Sequence, residues 1–119
     1  MTFDPRDKRY YTRYQVRLDG LVAHQDGFNF PVEILDISAE GARLKSETYI
    51  PIKKGDIIHL LIKWETKIKV KGEVRWVKED KFSIEFGVQF KDIDMQTREA
   101  LSGLISEHAL TSLLDTYTR

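Results

Sequence analysis

Residues 8–14, KRYYTRY, set Arg9 and Arg13 four apart, and residues 36–41, DISAEG, set Asp36, Ser38 and Gly41 in the pattern DxSxxG. A planar guanidinium pairs bidentately with a phosphate or with the O6 and N7 edge of guanine. An ionised carboxylate such as that of Asp36 accepts from paired N–H donors of the kind the Watson–Crick edge of guanine presents. Ser38, two residues along, falls on the same strand face at about 7 Å, where its hydroxyl can reach a base or a phosphate. Gly41 has no Cβ and so permits a tight turn and a close approach of backbone to ligand. A purely structural role is also open: an Arg13–Asp36 ion pair could fold the amino-terminal segment onto the rest of the chain, adding little stability.

Catalysis has poorer candidates. His24, His59 and His108 stand on three different elements without metal-type spacing, and each reads as a surface or partly packed residue. No HExxH, phosphate-binding loop or nucleophile elbow is present. The chain has no cysteine, which removes disulfides, thiolate nucleophiles and cysteine-ligated metals, and fits a reducing cytoplasm.

These residues need a scaffold, and the alternation of apolar and polar residues supplies one. At 119 residues the chain is one domain in size. Tyr14, Val16, Leu18, Gly20 and Val22 share one parity, and Asp26-Gly27 offers a tight hairpin turn. Phe28, Phe30, Val32 and Ile34 then resume the alternation, which slips to Leu35 and Ile37, so a β-bulge is expected near Ile34 and Leu35. A short strand around 42–45 follows. Ile58 to Trp64, Ile68 to Trp76 and Phe82 to Phe90 complete six strands at hairpin spacing, which predict a small antiparallel barrel. From Asp94, a helix N-cap, the period becomes helical, with Leu101, Leu104, Ile105 and His108 on one stripe. Leu110, Leu113 and Leu114 fall partly off that stripe and are expected to cover another surface or a partner.

Charge is balanced at a formal net of zero, which gives no global attraction to nucleic acid or an anionic membrane. Locally it is not balanced, since Arg6, Lys8, Arg9, Arg13 and Arg17 face only Asp4 and Asp7 within residues 1–17. Residues 1–13 are expected to form a flexible basic arm, ahead of a barrel and helix over 14–119. Arg13 and Arg17 also satisfy RxxxR. Arg17 lies between Val16 and Leu18 on the outward parity of the first strand, however, so the pair Arg9 and Arg13 is preferred. No apolar run approaches the length of a membrane helix, and membrane insertion is not expected.

RxxxR followed by DxSxxG, ahead of a short strand, a Gly-Asp turn, further strands and a final helix, resembles the PilZ family from about Lys8 to about Ser106. The resemblance implies a six-stranded antiparallel PilZ-type β-barrel with a C-terminal helix, mainly β in class. It implies a receptor for the bacterial second messenger cyclic di-GMP rather than an enzyme, with Arg9, Arg13, Asp36, Ser38 and Gly41 at the nucleotide. Lys8, where basic residues are common in the family, and Trp76, where related proteins place an aromatic, are further candidates. Trp76 is equally readable as a core residue on the parity of Val74. No cofactor other than the ligand is implied. A cytoplasmic receptor of one domain is expected to order its arm on binding and to signal to an unidentified downstream protein, without DNA or RNA. Two alternatives are a PilZ-fold interaction module that binds no nucleotide and an OB-like barrel for single-stranded nucleic acid.

Overall fold

The structure, a computed structural model, describes residues 14–118, with side chains from Arg17 to Ala109. The expected arm, with Lys8, Arg9 and Arg13, lies outside the described residues. Six strands, β1 Tyr14–His24, β2 Asn29–Ile37, β3 Gly41–Ser46, β4 Ile57–Lys63, β5 Ile68–Glu79 and β6 Ile84–Lys91, precede α1 Met95–Thr118. They close into an antiparallel barrel in the order β1-β2-β3-β6-β5-β4, so every described strand has a neighbour on both sides. Inward positions alternate with outward ones. Val22, Ile34, Ile37, Leu44, Ile58, Leu60, Ile62, Val74, Ile84 and Phe86 fill the interior, each fully buried or within 1% of it.

The helix closes one end. Asp94 accepts a hydrogen bond from the Thr97 amide at 2.7 Å, an N-cap that satisfies one of the free first-turn donors. Leu101 and Leu104 then enter the core cluster, with Ile105 packed at its margin. Trp64 lies against Gly103 from the β4–β5 turn. The side chains of Leu110, Leu113 and Leu114 lie outside the description.

Several local expectations need correction. Of Asp26-Gly27 only Gly27 has positive φ, at 99°, and His24 and Phe28 pair across a wider loop, so the turn is not a two-residue hairpin. Phe82 belongs to the β5–β6 turn and is 81% exposed, outside the alternation. Leu35 is only partly buried, because the bulge leaves it between the inward Ile34 and Ile37.

Candidate functional site

Three register irregularities fall at one level of the barrel: between Gln15 and Leu18 in β1, Ile34 and Asp36 in β2, and Val74 and Trp76 in β5. Each bulge inserts a residue and so turns the next side chain to the other face. In β2, Ile34 pairs with Leu44 inside, Asp36 with Arg43 outside and Ile37 with Ala42 inside. In β5, Val74 pairs with Val88, Trp76 with Gly87 and Val77 with Phe86. Uninterrupted alternation would have sent Asp36 and Trp76 into the core. The bulges instead align one outer row, Asp36, Arg43, Gly87 and Trp76, across β2, β3, β6 and β5.

The core reading of Trp76 therefore does not hold: its side chain is on the outer face and the residue is 38% exposed. It lies down over Gly87. A Cβ built on that glycine would overlap the indole, with Cε2 at 2.5 Å and Cδ1 at 2.9 Å. Beside Trp76 an open groove of about 710 Å³ is lined by Ile52, Lys53, Lys54, Arg75, Val77 and Glu79.

At the other end of the row the Asp36 side chain is 12% exposed, and its Oδ2 lies 2.9 Å from Arg43 Nε. Arg43 Nη1 reaches Glu85 Oε1 at 3.1 Å. The Nε–H of Arg43 is buried and aligned with no acceptor among the described residues, despite that short ion-pair distance. Sequence reasoning missed Arg43, although it was within reach: two residues past Gly41, between the inward Ala42 and Leu44, it must point outward.

Ser38 sits in the β2–β3 turn and Gly41 opens β3 directly after it, and both serve the turn itself. Ser38 Oγ accepts from the amides of Glu40 at 3.2 Å and Gly41 at 3.3 Å, and Ser38 N–H donates to the Gly41 carbonyl at 2.8 Å. A side chain on Gly41 would strike the Val88 carbonyl of β6, so the absent Cβ is required by strand packing. A groove of about 290 Å³ adjoins this turn, lined by Ala39, Glu40, Gln89, Asp92 and Arg98 among others. Arg17 stands apart, 91% exposed and 3.6 Å from Glu33, as its outward parity predicts.

The histidines also divide. His59 is exposed, but His24 is buried, which overturns its reading as a surface or partly packed residue. Its Nδ1 accepts the Asp26 amide at 3.0 Å, so Nε2 carries the proton and donates to Asp56 Oδ2 at 2.7 Å. Burial pushes the Asp56 carboxyl up, yet the hydrogen bonds from His24 and the Lys53 amide and the nearby charges outweigh it, holding the group below its ordinary value. Among the described residues no cluster of three metal-ligating side chains occurs, and no described helix is long and apolar enough to cross a membrane.

The family model described as PilZ domain matches residues 7–107. The chain belongs to the PilZ domain family. Among solved structures, the PilZ domain with c-di-GMP of YcgR from Escherichia coli superposes with a TM-score of 0.81 at 12% identity, over 95% of this chain and 100% of that one. Bacillus subtilis MotI/DgrA, an inhibitor of motility, gives 0.74 at 19% identity over 88% of this chain and 52% of that one. The K. pneumonia MrkH–c-di-GMP complex gives 0.75 at 17% identity over 89% and 53%. This PilZ chain spans about half the length of the MotI/DgrA and MrkH chains, and at these identities the likeness is one of fold. No curated protein sequence matches.

Proposed function

We propose that this PilZ domain is a receptor for cyclic di-GMP, and not an enzyme, that holds the nucleotide on the outer face of the barrel between the amino-terminal arm and the row from Asp36 to Trp76. The observation that carries the reading is that row. Bulges in two strands remove Asp36 and Trp76 from the core and set them, with Arg43 between, on one face. An outward tryptophan that is 38% exposed leaves apolar surface in water that an inward one would bury. A base-stacking surface level with a carboxylate suits a guanine nucleotide. The c-di-GMP named with the YcgR domain and with MrkH supports the same ligand.

In this reading Arg9 and Arg13 reach over the face and pair with phosphate or with the guanine O6 and N7 edge, Lys8 neutralises a second phosphate, and Asp36, oriented by Arg43, accepts from N1–H and N2–H₂. Ser38 and Gly41 act chiefly by shaping the turn beside the nucleotide. The ordered arm then presents an altered surface to a downstream protein in the cytoplasm. A PilZ-fold interaction module without nucleotide is the second reading, favoured by the ion pair that already engages Asp36 with Arg43. NMR titration with cyclic di-GMP separates the two. Binding should shift the amides of Asp36, Arg43, Gly87 and Trp76 together and slow the motion of residues 1–12. Shifts confined elsewhere would sink the assignment.

A further inference from the structure

Gly87 lies in the middle of β6, where glycine costs backbone entropy and packs nothing, so its presence there needs a cause. Neither a turn nor a left-handed φ supplies one, since its φ is not positive. The cause is on the outer face. A Cβ there would overlap the five-membered ring of Trp76, meeting Nε1, Cε2 and Cδ1 at once. The β5 bulge turns Trp76 outward, and the gap at Gly87, its register partner, lets the indole fold flat onto the sheet. On the far side of that gap stands Arg43, paired in register with the same glycine and tied to Asp36 and Glu85.

We propose that Gly87 is a positioning residue for nucleotide recognition: its missing side chain seats the Trp76 indole against β6, where it continues the floor begun by Asp36 and Arg43. This rests on the cyclic di-GMP reading of the same face. Any larger residue at 87 lifts the indole away from Arg43 and breaks the floor between the carboxylate and the stacking surface, although no atom of residue 87 need touch the ligand.

The test uses the full chain carrying Trp64→Phe, so that emission reports Trp76 alone, the protein having two tryptophans. Gly87→Ala should red-shift that emission and raise its acrylamide quenching. It should lower the melting temperature in this background but not when Trp76→Ala has already vacated the space. Cyclic di-GMP affinity should fall about as far as Trp76→Ala takes it, roughly 5- to 150-fold as expected for the loss of one stacked base, and combining the two should cost nothing more. Unchanged quenching, or an equal melting loss with and without Trp76, would overturn the seating. Binding indifferent to both substitutions would overturn the inference while leaving the receptor reading intact. A wild-type chain that does not bind cyclic di-GMP would overturn the receptor reading and the floor's role with it, even with the seating confirmed by emission and melting.

Discussion

The polar clusters around His24 and around Asp36 are built to different rules. Around His24 the described contacts close on one another: Asp26 N–H to Nδ1, Nε2–H to Asp56, the Lys53 amide to the same carboxylate, and Phe28 stacked on the ring at 4.3 Å. This cluster ties the β1–β2 hairpin to the loop before β4 across 32 residues of chain. Along the row from Asp36 the buried carboxylate is flanked by exposed groups: Arg43 is 37% exposed and divides its guanidinium between Asp36 and Glu85, and the Trp76 indole is 38% exposed. The first spends its polar groups on the fold. The second keeps charge and aromatic surface at the face where a ligand can meet them. A buried histidine beside an aspartate is thus not by itself a sign of chemistry, and here the row whose Arg43 and Trp76 reach solvent is the better candidate.

Breaking the closed cluster should have the largest effect. His24→Ala is expected to cost about 2–4 kcal/mol of stability, by stranding the Asp56 carboxylate and removing the ring stacked on Phe28. Urea unfolding measures this, and the folded fraction should bind cyclic di-GMP as the wild type does. A loss of affinity without a loss of stability would reverse the assignment of the two regions.

Breaking the row and its arm should act first on binding. Arg9→Ala, Arg13→Ala and Asp36→Ala are each expected to weaken cyclic di-GMP by about 1.5–3 kcal/mol, the worth of a charge-assisted contact, with unfolding midpoints nearly unchanged for the two arginines and lowered for Asp36→Ala, whose 12% exposed carboxylate pairs with the buried Arg43 Nε. Melting curves recorded beside each titration keep lost binding distinct from lost fold.

Acid sharpens the contrast further. The Asp56 carboxyl titrates below its ordinary value in the folded state, so it contributes stability above about pH 4 that is lost as pH falls through the folded value. Urea midpoints measured down to pH 3 should therefore drop more steeply for the wild type than for Asp56→Asn. Parallel curves would remove Asp56 from the account. Arg17→Ala should have the smallest effect, within about 0.5 kcal/mol on both stability and binding, because its pair with Glu33 is solvent-screened and lies off the row. Lost binding in Arg17→Ala with Arg9→Ala unaffected would shift the arginine motif by four residues.

The difference between the regions also explains what could be read from the sequence. Strand alternation exposed the barrel, the bulge before Asp36 and the helix with its Asp94 cap, because each is a local pattern. DxSxxG was visible as a motif, and its serine bonding back into its own turn is a local pattern, but that Gly41 would be required by the Val88 carbonyl was not visible, since it depends on which strand lies alongside. Trp76 was ambiguous because nothing in EVRWV marks the bulge that rotates it outward; only the pairing with Gly87 decides. His24 shared the inward parity of Gly20 and Val22, a signal that pointed to burial. Its partner Asp56 was beyond local reading.

Calorimetry of the wild-type chain with cyclic di-GMP, repeated with cyclic di-AMP, tests the central claim most directly. Micromolar or tighter binding of the guanine ligand is expected, about −8 kcal/mol, and much weaker binding of the adenine one, because adenine lacks the paired N1–H and N2–H₂ donors that Asp36 accepts. Equal affinities would contradict the role of Asp36, and the absence of binding heat, with no competition in a second assay, would contradict the receptor itself.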